Sequence, residues 1–476
     1  MDAAMTTGAL AGILPDERLV YAGFALLAAL LFWRLPVRVA ILLTVLGGWV
    51  LLPVGVYPEA SYDTIFPFWI IGIALPSDML LTKAWVIPAV ALVGAGLRDP
   101  RALGRLRPHP LDLPVALWCL WPLLVAAQWS APDPAPLVAA AYLGGSWGAL
   151  WLLGRAWFAD TEGRVAVMQG LALAGAACLP IAWVEMQGLG SLYELLYREH
   201  PYGQEGRLRS LFYRPVGAFE HGNQYGIWTS LCALAAVWVA ATREGAGQRA
   251  LWWAVALVAL GVGILHESRG GVILLLAGLI LLALWRLRLS TVLLGVALLA
   301  ALGFFALHYS GAALGWLTAS GWVPEDALRR GSAGARQLRD VLDGLGIGTF
   351  VYRLWTDYQT LDLVLEAPSI GHGQWDWWRP ADMRPWAFPL LAAGQFGIIA
   401  AGLAVATLLL APLWCLLRMG RAPVWHDETV GIALSLLVLL ALVDATQNSF
   451  LFFPAILAAG ALVGRHEAPP APALRP

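Results

Sequence analysis

The chain has 476 residues, of which 59% are hydrophobic and 13% charged, and its mean hydropathy is +0.69. Apolar stretches of roughly 17–25 residues recur along its whole length, which excludes a soluble globular domain and predicts an all-α polytopic membrane protein. The net charge of -1 carries no electrostatic footprint for nucleic acid, so the information lies in where the charges fall.

Hydropathy predicts about 12–13 transmembrane helices, near 19–34, 37–56, 79–97, 111–128, 136–154, 165–186, 224–242, 250–265, 271–286, 289–309, 387–416, 427–447 and 449–464. The stretch 62–76, interrupted by Pro67 and Pro76, is too short to cross and reads as re-entrant or interfacial. Cys119, Cys178, Cys232 and Cys415 all fall inside apolar spans without CxxC spacing, so they read as buried thiols. The N-terminal segment lacks a basic region followed by a small-residue cleavage site, and no removable signal peptide is expected.

All but one of the 30 basic residues are Arg, the exception being Lys83. The basic short loops 34–38, 98–107, 155–164, 242–249, 286–288 and 418–421 fall on one side of this topology, taken as cytoplasmic together with the C-terminal tail. The chain then divides into an N-terminal bundle (1–186), core spans (187–309), a large partly helical extracytoplasmic loop (310–386) and C-terminal spans with a short tail (387–476). Within the large loop, 325–345 reads as an interfacial amphipathic helix carrying Arg329, Arg330, Arg336 and Arg339. A second helix, over 349–366, is stopped by Pro368 and the Gly371–Gly373 pair.

Three arginines stand at or near span ends on the outer side, where the positive-inside rule does not ask for them: Arg214, Arg269 and Arg353. A cation held there suits an anionic ligand such as a lipid-linked phosphate. Each also has a plainer role. Arg214 could anchor its span among headgroups, Arg269 could snorkel from a tight turn, and Arg353 could pair with Asp357 one helical turn on. Trp375, Trp377, Trp378 and Trp386 form an aromatic cluster suited to sugar faces, although Trp is equally favoured at membrane interfaces.

The order of these features resembles the O-antigen ligase and O-antigen polymerase superfamily of bacterial membrane glycosyltransferases. The matching elements are Arg214, Gly217, Phe219 and Asn223, then Ser268–Gly270, then an Arg-x-Trp helix (Arg353, Trp355). Pro368, Gly371 and Gly373 follow, and then a span opening with Gly394 and Gly397. The likeness covers roughly 205–415. It implies a GT-C-like, metal-independent, inverting transferase without cofactor in the bacterial inner membrane. Its site would face the periplasm, taking a glycan from an undecaprenyl diphosphate donor to a hydroxyl on a glycan or lipid-linked acceptor. Arg214, Arg269 and Arg353 would then bind the diphosphate, because guanidinium forks offset the charge that grows on a phosphate leaving group. No DxD and no metal-ligand spacing is found in the sequence.

The base is harder to place, since the His-Asn pair that typically opens the span after the large loop in the ligases is replaced here by Trp386. That departure leans toward a polymerase-like or exopolysaccharide-type member. His372, between two glycines, is one candidate; Glu220 and His221 are another, and His266 with Glu267 a third. Each could equally be structural, a carboxylate merely neutralising a nearby Arg. A transporter or flippase of lipid-linked sugars, which should show broken helices or internal repeats, and a non-catalytic assembly protein are the alternative readings.

Overall fold

The structure is a computed structural model that describes residues 17–54, 81–187, 191–197, 200, 207–208, 213–266, 268–285, 303, 306–307, 309–321, 326, 332–344, 348–375, 378–379, 385–419, 425–449 and 451–464. Regular secondary structure in these segments is helical apart from a two-residue antiparallel ladder, Arg207–Leu208 against Tyr213–Arg214, and an isolated bridge between Asp133 and Gln374.

The principal helices are α1 (Glu17–Arg34), α2 (Val37–Leu51), α3 (Lys83–Arg98), α4 (Pro110–Gln128), α5 (Pro136–Trp157), α6 (Thr161–Met186) and α7 (Gly222–Thr242). They continue as α8 (Ala246–Leu265), α9 (Arg269–Trp285), α10 (Ala333–Gly344), α11 (Gly348–Glu366), α12 (Phe388–Met419), α13 (Asp427–Ala445) and α14 (Pro454–Leu462). Among the described residues, seven helices (α4 to α8, α12 and α13) are long and apolar enough to cross a membrane. This is an all-α multi-pass membrane architecture.

Local chemistry sets the boundaries. The Asp160 side chain caps α6 by accepting from the Gly163 amide at 2.7 Å, and Pro136 begins α5 at a position that needs no amide donor. Gly245, with φ of 83°, makes the left-handed entry to α8. The span expected over 449–464 is helical only at Pro454–Leu462, because the preceding segment turns back on Asp444. The Gln447 and Asn448 amides donate to the Asp444 carbonyl at 2.9 and 2.8 Å, and the Asn448 side chain donates to the Asp444 carboxylate at 2.6 Å. The expected re-entrant stretch 62–76 and nearly all of 289–309 lie outside the described residues, as do Arg329 and Arg330.

Helix α7 is buried on nearly every side, packed against α6, α8 and α9, and α13 is buried in the same way against α12. Helices apolar all round belong in the interior of a bundle, with lipid left to the outer ones. The described basic loops around 34–38, 155–164 and 242–249 are pinned by ion pairs. Arg155 meets Asp112 at 2.9 Å, Arg243 meets Asp427 at 2.5 Å, and Arg38 pairs with both Asp160 and Glu162. The end of the bundle away from these loops collects the C-terminal ends of α2, α4, α6, α8 and α13 and the N-terminal ends of α3, α5, α7, α9 and α12.

Candidate functional site

At that second end the segment 213–221 is threaded into the bundle and fixed by side chains from three distant parts of the chain. Glu185, in the last turn of α6, accepts from the Val216 amide at 2.8 Å and the Gly217 amide at 3.2 Å. His200 donates from Nε2 to the Phe219 carbonyl at 3.1 Å, and Lys83, the first residue of α3, donates to the Ala218 carbonyl. Gly217 turns with φ of 56°, a conformation that favours glycine. The Phe219 ring then packs on Tyr225 and Trp228 of α7.

This threading delivers three of the sequence candidates to the start of α7. Arg214 is only 1% exposed; its Nη1 donates to Asn223 Oδ1 at 3.1 Å, and its stem lies against Gly222 so closely that a Cβ there would stand 2.5 Å from Nε. His221 caps the helix, its Nδ1 accepting from the Asn223 amide at 2.9 Å, which makes Nδ1 the unprotonated ring nitrogen. Glu220 is 1% exposed; its own amide donates to Gln224 Oε1 at 2.9 Å, and its Oε1 lies 4.0 Å from the Lys83 ammonium. That separation is an ion pair without a hydrogen bond. Lys83, 2% exposed, also stands 5.2 Å above the Trp49 and Phe219 rings. Burial pushes the Glu220 carboxyl above the ordinary range, and the Lys83 charge partly opposes that rise.

The Ser268–Gly270 motif is placed next to this group. His266, which ends α8, accepts on Nδ1 from the Ser268 amide at 2.8 Å, and its Nε2 lies 3.4 Å from Ser230 Oγ of α7. Gly226 and Gly271 allow the close approach, since a Cβ at either would meet Ser268 at 2.3 Å or Ser230 Oγ at 2.7 Å respectively. Burial, followed by the positive charge of Arg214, holds the His266 imidazole down to about 4. Arg269, by contrast, is exposed at the first turn of α9, and Glu267 lies outside the described residues.

Arg353 belongs to a second cluster. Its Nη1 donates to Asn448 Oδ1 and to the Gln447 carbonyl at 3.3 Å, and its guanidinium carbon stands 5.0 Å from the Trp386 ring centroid. Asp357, one turn on, accepts from the Trp386 amide and from the Ala387 amide at 3.4 Å, so it caps the approach to α12. The two clusters meet across aromatic rings: Trp49 stacks on Phe453 at 4.8 Å, and Trp228 packs on Phe452, both just beyond Asn448.

His372 sits elsewhere, under the turn that closes α11. Its Nε2 donates to the Leu363 carbonyl at 2.9 Å and its ring stacks on Trp378 at 5.8 Å. Trp375 and Trp378 are buried, Trp386 is half-buried, and Trp377 lies outside the described residues. The structure therefore gathers Arg214, Glu220, His221 and His266 at the entry to α7, sets Arg353 and Trp386 beside Asn448, and keeps His372 with the loop turn.

Sequence reasoning passed over Lys83 as a member of the site, along with Glu185, His200, Gln224 and Asn448. The available signal was the sole lysine of the chain at the start of a span, where an apolar or arginine residue would anchor equally well. Among the described residues no three of His, Cys, Asp and Glu come together as a metal-binding group. No family model and no curated protein matches the chain.

Proposed function

We propose that the protein is a membrane-embedded glycosyltransferase of the O-antigen ligase and polymerase kind. It moves a glycan from an undecaprenyl diphosphate donor to a hydroxyl acceptor at the outer face of the bacterial inner membrane. The observation that carries this reading is Arg214, a guanidinium 1% exposed and fixed beside Asn223 at the start of α7. A guanidinium held in place there presents a planar fork of donors suited to an anionic oxygen pair. The leaving diphosphate offers such a pair, and its charge grows as the anomeric C–O bond breaks. Arg214 receives the growing charge, Arg269 and Arg353 reach the same diphosphate from the neighbouring segments, and Glu220 takes the proton of the attacking hydroxyl.

The transport reading gains one feature, a break inside α12 at Gly397, where φ is 88° and ψ 165°. A transporter uses the backbone groups freed by such a break to hold its cargo. Here the carbonyls of Gly394 and Gln395 accept from the His372 and Gly373 amides at 3.0 and 2.9 Å, and the Phe396 carbonyl accepts from Trp121 Nε1 at 2.7 Å. The break docks the loop turn, and those carbonyls are taken.

The test is glycan transfer in proteoliposomes from a lipid diphosphate donor, run with chelator present. Replacing Arg214 by Ala is expected to lower kcat by about 10²–10³, and Arg214→Lys to recover only part of that loss because a point charge cannot reproduce the fork. Full activity in Arg214→Ala, or a requirement for divalent metal, would overturn the reading.

A further inference from the structure

Two buried polar atoms at the entry to α7, Glu220 Oε2 and Gln224 Nε2, make no hydrogen bond of full geometry within the protein, although the Gln224 side chain lies near enough to the Glu220 carboxyl to favour its ionised form. Both residues are more than nine-tenths buried, and they are linked through the Glu220 amide, which donates to Gln224 Oε1 and turns the Gln224 amide nitrogen toward the Glu220 carboxyl. One anionic acceptor and one neutral donor side by side define a narrow class of ligand. A second anion is opposed by Glu220, and a cation duplicates Lys83. A hydroxyl can give its proton to the carboxylate while accepting from the amide N–H.

We propose that Glu220 Oε2 and Gln224 Nε2 hold the acceptor hydroxyl, and that Lys83 is a positioning residue that keeps Glu220 anionic to receive its proton. The identity of the hydroxyl as a glycosyl acceptor rests on the transferase reading above. In the step itself the hydroxyl oxygen forms the new bond to the anomeric carbon while the bond to the diphosphate oxygen breaks. The diphosphate leaves with that electron pair, the hydroxyl proton passes to Glu220 Oε2, and Lys83 stays protonated throughout.

The groups that face the carboxylate come from separate elements. They are Lys83 on α3, the Tyr142 phenol on α5, whose oxygen lies 3.3 Å from Thr82 Oγ1, and, beyond Lys83, His200. Of these, only Lys83 is a cation close enough to hold Glu220 ionised against burial. Its contacts suit a fixed charge: the Ala218 carbonyl and the faces of Trp49 and Phe219 leave it no carboxylate hydrogen bond to break as the proton moves.

Dicyclohexylcarbodiimide, which reacts with protonated carboxyls in apolar surroundings, reads this pair without any glycan. The full chain in proteoliposomes is labelled across pH and the Glu220 peptide is followed by mass. Labelling of the wild type is expected to fall as pH rises through the Glu220 midpoint. Lys83→Met is expected to move that midpoint up by ~1–3 pH units, and Lys83→Arg to leave it nearly in place. An unmoved midpoint in Lys83→Met overturns the proposal, as does a Glu220 that labels only after denaturation. A second arm uses transfer kinetics: Gln224→Leu is expected to raise KM for the acceptor about tenfold with the donor KM unchanged. Equal changes in both, or none, overturn the hydroxyl site even where Lys83→Met fails to fold. A midpoint that Lys83→Met shifts, in a protein whose wild type transfers no glycan, refutes the transferase reading alone, whereas a midpoint that Lys83→Met leaves unmoved, in a protein whose wild type is active, refutes this inference alone.

Discussion

Arg214, Arg269 and Arg353 look alike in the sequence and differ in their surroundings. Arg214 is enclosed, Arg269 is exposed, and Arg353 is half-buried over a Trp ring with Asn448 on its guanidinium. The enclosure of Arg214 depends on Gly222, which has an ordinary helical position and is constrained by the arginine stem rather than by its backbone angles. Alanine suits a helix at least as well as glycine, so Gly222→Ala tests the arginine's placement without removing its charge. The added methyl must displace a stem whose nearest atom stands 2.5 Å away. We expect transfer to fall about tenfold or more while the melting temperature in detergent stays near the wild-type value. Unchanged transfer would mean that the position of Arg214 does not matter to the reaction.

At the level of elements, the Gly371–Gly373 turn and the break in α12 are one device. The Ile398 amide donates to the Pro368 carbonyl at 2.7 Å, and the two backbones approach so closely that a Cβ on Gly397 would lie 2.3 Å from the Ser369 carbonyl oxygen. Gly397→Ala combines that clash with a left-handed φ of 88°, and should cost at least about 2 kcal/mol, seen as a lower melting temperature and earlier proteolysis within 366–375. A wild-type melting curve for this variant would show that the two segments are not docked in the membrane. The sequence made the helices legible because a buried α7 or a broken α12 still reads as an apolar run of the right length. It hid the break, since FPLLAAGQFGIIAAGLAV is apolar straight through Gly397 and hydropathy carries no backbone angle. The arginine motifs were legible as charge at span ends. The pairing of Lys83 with Glu220 was not, because it joins residues 137 positions apart, and only the threading of 213–221 by Glu185 and His200 brings them together.

Across the whole molecule the two ends use charge differently. The basic end satisfies its arginines with partly exposed carboxylates, pairs that water screens and that contribute about 0–1 kcal/mol each. The other end buries its polar groups, and two of them are histidines in loops, His200 and His266, both held down to about 4 from an ordinary 6.5, chiefly by burial. An unfolded chain therefore takes up protons on these groups below 6.5 that the folded chain refuses until about 4. Their contribution to stability is complete above 6.5, is lost as pH falls through that window, and amounts to about 3 kcal/mol per histidine. Glu220 acts in the opposite sense, because a raised carboxyl pKa favours the folded state at low pH and weakens it as pH rises above the ordinary carboxylate range. The histidine part is isolated by His266→Asn, whose side-chain oxygen can still accept from the Ser268 amide. Melting temperatures taken from neutral pH down to about 4 should fall steeply in the wild type and less steeply in this variant. Identical slopes in the two proteins would remove His266 from the acid response.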